Sequence, residues 1–281
     1  MQKLPNNKLD VKLIALDLDD TLLNNDAQIS DKNVEILQKC AEKGIYVVLC
    51  SGRLEAGIVP FVRRLQIAGK ETGRYVIAIN GCSVFDTHER KQILCNKVSS
   101  EILLRADEIA VKAGLQSQIY STDTIYYGTL TPWIQMDIDL CKVNGKKADN
   151  YKELLQKGSP KMLVPCNPRT PEVVQDLLKK MKDEFGDKAV VFTSKPFFLE
   201  ILPPDCGKGE AVLWLAKHIG IAPERTMAFG DGMNDESMIR QCAYGVAMKN
   251  ACDYIKEAAD FVTEKTNDES GVGLFIEKFV L

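Results

Sequence analysis

Short apolar runs alternate with amphipathic stretches along most of the chain, and this alternation constrains the fold more than any other feature of the sequence. Leu13–Leu16 is the first apolar run, a helical pattern follows Ser30 and ends near Gly44, and a second apolar run begins at Ile45. Strands that alternate with helices in this way are typical of a parallel sheet covered by helices on both faces. The pattern therefore predicts an α/β fold with a doubly wound, Rossmann-like parallel sheet.

The regular alternation stops after about residue 86 and resumes after about residue 195. Between these points short β-rich pieces and helical stretches follow one another in the irregular order of an α+β module. The length of 281 residues also exceeds that of a typical single domain. We predict one core formed by 1–86 and 196–281, interrupted by an α+β insert at 87–195.

Composition excludes several classes of function. The net charge of -3 leaves no basic stripe for a nucleic acid, because Lys and Arg are mixed with Asp and Glu. The first residues lack the apolar core of a secretory signal, and no apolar run is long enough to cross a membrane. We therefore expect a cytoplasmic protein with neither a nucleic acid nor a membrane as its partner.

The nine cysteines form no C-x-x-C pair, and most of them lie in apolar segments. His88 and His218 have no cysteine at a spacing that would suit a zinc site. This usage predicts buried free thiols and no metal site built from sulfur.

Two carboxylates, Asp17 and Asp19, end the first apolar run, and Thr21 follows them. Carboxylates at the end of a buried strand need a compensating cation, which a divalent metal would supply. The same D-x-D-x-T pattern also fits a turn in which an aspartate caps a helix. Taken alone, the segment favours neither reading.

Three further polar clusters follow predicted strands or begin predicted helices: Ser51-Gly52-Arg53, Lys208, and 230–235 (Gly-Asp-Gly-Met-Asn-Asp). Ser51 and Gly52 alone also fit a simple helix cap, and a lysine at a helix N-terminus is usually just solvated. The last cluster has more acids and glycines than a turn requires. Ligands of open parallel sheets bind beyond the carboxyl ends of the strands, so these clusters are expected to converge on one crevice.

Together the clusters supply what phosphoryl transfer needs: a nucleophile, a proton donor, a metal and fixed donors for the phosphate oxygens. The carboxylates of Asp17 and Asp231 are hard oxygen ligands, which suit Mg²⁺ better than a soft metal.

In this order the clusters resemble the four motifs of the haloacid dehalogenase (HAD) superfamily of phosphotransferases, and most closely its Cof-type phosphatases of subclass IIB. Asn80-Gly81 after the third strand and the tail 245–251 are similar to that family too. Asp20 departs from the pattern, since a glycine often follows the second aspartate of the motif. The resemblance implies that the insert is a cap domain, which closes over the core and carries substrate specificity.

The resemblance also implies roles for individual residues. Asp17 would attack phosphorus and become an aspartyl phosphate, while Asp19 would protonate the leaving alkoxide and later activate water. Mg²⁺ would be held by the Asp17 carboxylate, the Asp19 backbone carbonyl and Asp231. The phosphate would be held by Leu18, Ser51, Gly52, Lys208 and Asn234, with Thr21, Arg53 and Asp235 in supporting positions.

The leading hypothesis is a Mg²⁺-dependent phosphatase acting on a small phosphorylated metabolite, with sugar phosphates first and phosphorylated cofactors such as pyridoxal phosphate or flavin mononucleotide next. A phosphomutase of the same superfamily, similar to phosphomannomutase, is one alternative. A sensor that binds a phosphometabolite without turnover is the other, and it would be expected to lack some of the four motifs. We expect a monomer or a small homo-oligomer.

Overall fold

The computed structural model of the protein describes residues 4–281. The chain forms two compact units. Unit 1 comprises the described residues up to Gly52 together with Ile58–Leu94 and Gly207–Leu281, and unit 2 comprises Arg53–Gly57 and Cys95–Cys206. The predicted α/β core with an inserted α+β domain is confirmed, whereas the boundaries predicted at 86/87 and 195/196 stay predictions.

Unit 1 is built on an eight-stranded sheet, with helices and strands numbered here in chain order. In sheet order its strands are β14 Phe261–Val262, β13 Tyr244–Ala247, β12 Thr226–Gly230, β1 Leu13–Leu16, β2 Tyr46–Cys50, β3 Tyr75–Ala78, β4 Ser83–Asp86 and β5 Lys91–Cys95. The strands from β14 to β3 pair in parallel, and β4 pairs with β3 in the antiparallel sense. β12, β1 and β2 are direct neighbours, so their carboxyl ends lie at one edge.

The helices of the core alternate with these strands as the sequence predicts. They are α1 Asp31–Glu42, α2 Glu55–Arg64, α7 Lys208–His218, α8 Glu236–Gln241, α9 Asp253–Ala258 and α10 Gly271–Phe279. The hydroxyl of Ser30 caps α1 by accepting a hydrogen bond from the Asn33 amide, and the chain leaves this helix through Gly44 at φ 73°.

Alternation along β1 buries both faces of the sheet. Leu13 and Ala15 pack with apolar residues of α7, including Leu215, in one hydrophobic cluster. Ile14 and Leu16 point to the opposite face, because successive strand residues face opposite ways, and they are fully buried too. A strand buried on both faces accounts for the continuous apolar run that the sequence shows.

Unit 2 has a six-stranded sheet and four helices. The strands in sheet order are β10 Val190–Lys195, β11 Phe198–Leu202, β9 Met162–Pro165, β6 Gln118–Tyr120, β7 Thr124–Tyr127 and β8 Asn144–Lys147. The helices are α3 Ser100–Lys112, α4 Pro132–Cys141, α5 Tyr151–Leu155 and α6 Glu172–Phe185. Apolar residues of α3 and α6, such as Leu103 and Leu177, form one hydrophobic cluster with one face of this sheet.

The prediction that all nine cysteines are free thiols is wrong for two of them. Cys82 and Cys206 are disulfide-bonded, whereas the remaining seven are free. Neither residue has a short spacing to another cysteine that would mark it in the sequence, because the tertiary fold decides which thiols can react.

None of the helices in residues 4–281 combines the length and the apolar character needed to span a bilayer.

Candidate active site

Adjacent parallel strands bring the predicted residues of unit 1 to one edge of the sheet. Asp17 follows β1, Ser51 follows β2, and Asp231 follows β12. Leu16, the last residue of β1, lies opposite Phe229 of β12 and Leu49 of β2. The Asp17 amide donates to the Phe229 carbonyl at 3.1 Å, which fixes where the nucleophile candidate leaves the sheet.

Lys208, the first residue of α7, lies between two carboxylates. Its Nζ donates to Asp17 Oδ1 at 2.5 Å and to Asp235 Oδ1 at 2.6 Å, and the side chain is fully buried. Burial disfavours the ammonium form, but the negative charges of Asp17 and Asp235 outweigh this effect and raise the pKa of Lys208. The lysine is therefore a permanent cation inside the site.

Asp17 is only 5% exposed, and this burial makes its carboxyl group a weaker acid. Desolvation, together with the nearby charge of Asp235, raises its pKa well above the ordinary value, and Lys208 only partly offsets the rise. A carboxylate in this position needs more positive charge than Lys208 provides if it is to be ionised at neutral pH.

Asp231, like Asp17, has less positive charge near it than its carboxylate needs. Burial and the neighbouring Asp235 raise its pKa to about 6, against a smaller opposing effect of Thr21. The Thr21 hydroxyl donates to Asp231 Oδ1 at 2.9 Å and so orients this carboxylate. The other carboxylate, Asp235, accepts from the backbone amides of Asp231 and Gly232 at 2.9 and 3.0 Å, which closes the loop after β12.

Asp17, Asp231 and Asp235 form a group that fits a divalent cation. Each offers an oxygen, and these oxygens all lie within 4.8 Å of one another. Three carboxylates beside one lysine leave a net negative charge, and oxygen donors are the ligands that Mg²⁺ prefers. Asp17 and Asp231 were predicted as ligands, and Asp235, predicted only as a supporting residue, belongs to the same group.

Asp19 lies outside this group and is exposed, in an extended backbone conformation at φ -69°, ψ 131°. Asp20 beside it adopts the left-handed conformation at φ 57°, where a glycine is favoured and an aspartate is tolerated. Leu18 is buried at the start of the same turn, Leu18–Leu22. The turn therefore separates the two aspartates: Asp17 lies in the buried cluster and Asp19 at the surface.

A second group of predicted residues surrounds Asn80. The Asn80 amide donates to the Ser51 carbonyl at 3.0 Å, and its side-chain Oδ1 accepts from Asn234 Nδ2 at 3.3 Å. A Cβ placed on Gly52 would lie 3.0 Å from the same Oδ1, so a side chain there would press on Asn80. Asn80 thus contacts residues of two loops for which the family resemblance implies phosphate binding.

The backbone around Asn80 is left-handed at three consecutive residues. Ile79, Asn80 and Gly81 have φ values of 53°, 52° and 94°, and a β-branched residue in this region is a clear outlier. Gly81 has no alternative, because a Cβ there would overlap the carbonyl of Gly207 just before Lys208. Sequence reasoning assigned Asn80 no role, although the dipeptide Asn-Gly after a strand is a signal for such a turn.

Of the predicted residues, the structure brings Asp17, Thr21, Lys208, Asp231 and Asp235 into one hydrogen-bonded network and places Ser51, Gly52 and Asn234 around Asn80. Arg53 belongs to unit 2, in the segment Arg53–Gly57, and its supporting role stays a prediction.

A doubly wound sheet binds ligands at its carboxyl edge, and a buried lysine between acids at that edge is suited to an enzyme in which a carboxylate reacts with a phosphate ester. Comparison with known proteins identifies the family. Residues 14–276 match the model of the haloacid dehalogenase-like hydrolases, and the chain belongs to this family, as a Cof-type phosphatase.

Individual relatives are similar over nearly their full lengths. A crystal structure of a haloacid dehalogenase-like hydrolase from Bacteroides thetaiotaomicron has 33% sequence identity and a TM-score of 0.85, covering 95% of this chain and 99% of that one. The 5-amino-6-(5-phospho-D-ribitylamino)uracil phosphatase YwtE of Bacillus subtilis is 29% identical over 300 residues, 96% of this chain and 98% of the relative. The subclass IIB sugar phosphatase BT4131 shares the fold, with 24% identity and a TM-score of 0.79 over 96% of this chain and 99% of that one.

Proposed function

We propose that the chain is a Mg²⁺-dependent phosphatase that hydrolyses phosphomonoesters of small metabolites through an aspartyl-phosphate intermediate. One observation carries the proposal: the Asp17 carboxylate is buried beside Lys208 in a group of three acids that has less positive charge than it needs. Such a group is suited to hold a cation and a phosphate ester at the same time. Sugar phosphates are the first candidates for the substrate, followed by phosphorylated cofactors such as pyridoxal phosphate or flavin mononucleotide.

Two aspartates divide the chemistry. Asp17 attacks phosphorus, the ester P–O bond breaks, and the departing alkoxide takes a proton from Asp19. Asp19, now a carboxylate, accepts a proton from water as the water oxygen attacks the aspartyl phosphate, which releases inorganic phosphate and restores Asp17. The exposed position of Asp19 supports its part, because a proton shuttle must exchange with solvent.

The remaining residues bind and orient. Lys208, Ser51, Asn234, the Gly52 amide and the backbone at Leu18 hold the phosphate oxygens. Asp17, Asp231 and the Asp19 carbonyl hold Mg²⁺, which supplies positive charge to the phosphate when bound. Thr21 and Asp235 orient these ligands, and Arg53 supports the loop after β2.

The insert, 87–195, is proposed to act as the cap that selects the substrate. YwtE, a relative of similar length, is named for a substrate in which the phosphate sits on a ribityl chain. That relationship supports a small hydroxylated leaving group here too. A cytoplasmic location and a monomeric or small homo-oligomeric state stay predictions.

A phosphate-release screen tests the function. The purified chain is incubated with a panel of hexose, pentose, polyol and cofactor monophosphates, with Mg²⁺ or with EDTA, beside the variants Asp17→Asn and Asp26→Asn. Asp26 is exposed in unit 1, so its variant controls for the substitution itself. We expect Mg²⁺-dependent release that Asp17→Asn abolishes and Asp26→Asn preserves. Turnover by the Asp17→Asn variant would exclude Asp17 as the nucleophile. An isomerised sugar phosphate without free phosphate would indicate a phosphomutase.

A further inference from the structure

The tail 245–251 contacts the turn that carries Asp19, although the proposed function gives this tail no part. Asn250, near the end of the tail, donates through Nδ2 to the carbonyl oxygen of Asp20 at 2.7 Å. Asp19 and Asp20 are the two residues at which the turn Leu18–Leu22 departs from helical dihedral angles. The contact therefore falls where the backbone of the turn is least regular.

The conformation of Asp20 is one that such a contact stabilises. Its φ of 57° is unfavourable for a residue with a Cβ. The oxygen that Asn250 binds belongs to the peptide group between Asp20 and Thr21, and the Thr21 hydroxyl donates to Asp231 at 2.9 Å. A return of Asp20 to the right-handed region would turn the peptide groups on both sides of it, including the carbonyl of Asp19.

Asn250 is itself held in one orientation. Its Oδ1 accepts from the backbone amide of Asn267 at 3.1 Å, so each end of the side-chain amide faces a suitable partner. The side chain of Asn267, which is 5% exposed, donates to the carbonyl of Leu23 at 2.9 Å. The two asparagines thus hold the turn at its middle and just after its end.

The segment 267–270 also contacts the chain that follows the turn. Asp268 accepts from the backbone amide and the side-chain amide of Asn25, at 2.9 and 2.5 Å. The hydroxyls of Ser270 and Ser30 lie 2.8 Å apart and share a hydrogen bond. All of these residues belong to unit 1. The segment is thus anchored at three places along the chain after the turn, which gives the tail a fixed support.

We propose that Asn250 is a positioning residue for Asp19. Its hydrogen bond to the Asp20 carbonyl holds the turn in the conformation in which the Asp19 carboxyl reaches the leaving-group oxygen and, later, the attacking water. The inference rests on the proposed function, in which Asp19 transfers these protons. Asp19 is exposed, so the direction of its side chain depends on the backbone of the turn.

Amide hydrogen exchange tests whether Asn250 holds the turn. Asn250→Asp keeps the acceptor for the Asn267 amide but removes the donor to Asp20, and Asn250→Ala removes both. Asn7→Ala is the control, because Asn7 is an exposed asparagine of unit 1. We expect peptides that cover 18–23 to exchange about 3–10 times faster in both Asn250 variants and at the wild-type rate in Asn7→Ala. Unchanged exchange in the Asn250 variants would overturn the proposal.

Kinetics at saturating Mg²⁺ test whether the turn acts through Asp19. The leaving group of p-nitrophenyl phosphate needs no proton, so the first release of p-nitrophenol reports the attack by Asp17. Hydrolysis of the aspartyl phosphate, followed by acid quench and intact mass, reports the base Asp19. In Asn250→Ala we expect the first release to keep its rate and the hydrolysis to slow about 3–10-fold. Equal slowing of both steps would mean a purely structural role and refute the positioning role.

A double-mutant cycle adds an independent criterion. If Asn250 acts through Asp19, Asn250→Ala should slow hydrolysis of the intermediate in the wild type but hardly at all in Asp19→Asn, where the group that it positions is absent. Effects of the two substitutions that multiply would contradict the proposal.

A failure of the proposed function and a failure of this inference give different results. If the wild type forms no aspartyl phosphate and releases no phosphate from any ester, the phosphatase proposal fails, and with it the role of Asp19. Hydrogen exchange then still decides whether Asn250 holds the turn. If the wild type is active and the Asn250 variants match it in exchange and in hydrolysis of the intermediate, only the positioning role fails.

Discussion

Lys208 and Asp17 lie 191 positions apart in the chain and form an ion pair of 2.5 Å in which the lysine is fully buried. Asp235 accepts from the same ammonium at 2.6 Å. One cation thus links the start of α7 to the ends of β1 and β12. The arrangement makes the stability of unit 1 depend on the same charges that the proposed chemistry uses, and that dependence can be measured.

Lys208→Met is expected to destabilise the metal-free protein, by about 3–5 kcal/mol at pH 8, because two buried carboxylates lose their cation. The loss should be smaller at pH 5. Removing Lys208 raises the folded pKa of Asp17 further, so the extra destabilisation develops as pH rises past the folded pKa of the wild-type carboxyl, and it shrinks at pH values where Asp17 is protonated in both folded proteins.

Urea unfolding in EDTA at the two pH values measures this difference. Lys39→Met is the matched control, since Lys39 forms an exposed pair with Glu35 on α1 and should change stability little at either pH. A Lys208→Met effect of the same size at pH 5 and pH 8 would contradict the assigned charge states.

The elements around this ion pair could be predicted because strong patterns encode them. β1 and β2 are continuous apolar runs, and α1 has a serine cap and a glycine stop. Charged residues next to such apolar runs are unfavourable unless they serve a functional site. This made Asp17, Lys208 and Asp231 recognisable in the sequence. Their convergence followed from the rule that parallel strands present their carboxyl ends at one edge.

Other features depend on tertiary context that one sequence does not carry. β8, Asn144–Lys147, consists of four exposed residues and pairs in parallel with β7, and nothing in its composition indicates a strand. The disulfide-bonded state of Cys82 and Cys206 has no local signal. The contact of Lys208 with Asp235 could not be predicted either, because the two polar residues belong to separate elements, the start of α7 and the turn before α8.

Asp19→Asn is expected to separate the two halves of the reaction. The variant keeps the nucleophile but lacks the group that delivers and accepts the proton, so turnover of alkyl phosphates should fall by about 10²–10⁴. With p-nitrophenyl phosphate, whose leaving group needs no proton, Asp17 should still be phosphorylated and the intermediate should accumulate.

Acid quench and intact-mass measurement detect the covalent phosphoryl group. Asp20→Asn is the control, because Asp20 is the adjacent exposed acid and asparagine tolerates its left-handed backbone. If turnover by the Asp19→Asn variant fell by the same factor on alkyl and aryl phosphates and no covalent adduct formed, Asp19 would not be the acid–base residue.

Mg²⁺ affinity is expected to depend on pH through Asp231. Its pKa is about 6 in the metal-free chain, above its ordinary value, and a metal ligand must be ionised. Affinity should therefore fall by about tenfold per pH unit as pH drops below the pKa of Asp231, and more steeply where Asp17, whose pKa is also raised, takes up a proton. Calorimetric titration with Mg²⁺ between pH 5 and 8 measures the midpoint.

Thr21 lowers that midpoint, because its hydroxyl donates to Asp231 and partly offsets the rise in the pKa of this carboxyl that burial and Asp235 cause. Thr21→Val should move the midpoint to higher pH, and Thr21→Ser should restore it. An unchanged midpoint in Thr21→Val would show that the hydrogen bond does not control the ligand.

Asn80 is expected to act as a positioning residue for the phosphate, since its side chain contacts Asn234 and Gly52 while its backbone is left-handed. Asn80→Gly keeps the left-handed backbone conformation and removes the side-chain amide. The free energy of unfolding should therefore stay close to that of the wild type, while inorganic phosphate should inhibit more weakly. Asn80→Ala removes the amide and adds about 1–2 kcal/mol of left-handed strain. Both variants should raise KM more than they lower kcat.

A double-mutant cycle with Asn234→Ala, read out as the inhibition constant of inorganic phosphate, tests whether Asn80 works through Asn234. The two residues share a hydrogen bond of 3.3 Å, so the effects of Asn80→Gly and Asn234→Ala should be clearly less than additive. Asn80→Asp retains the acceptor but places a negative charge beside the bound anion, so it should bind phosphate less well than Asn80→Gly does. Additive effects in the cycle would mean that Asn80 shapes the turn at Ile79–Gly81 without orienting Asn234.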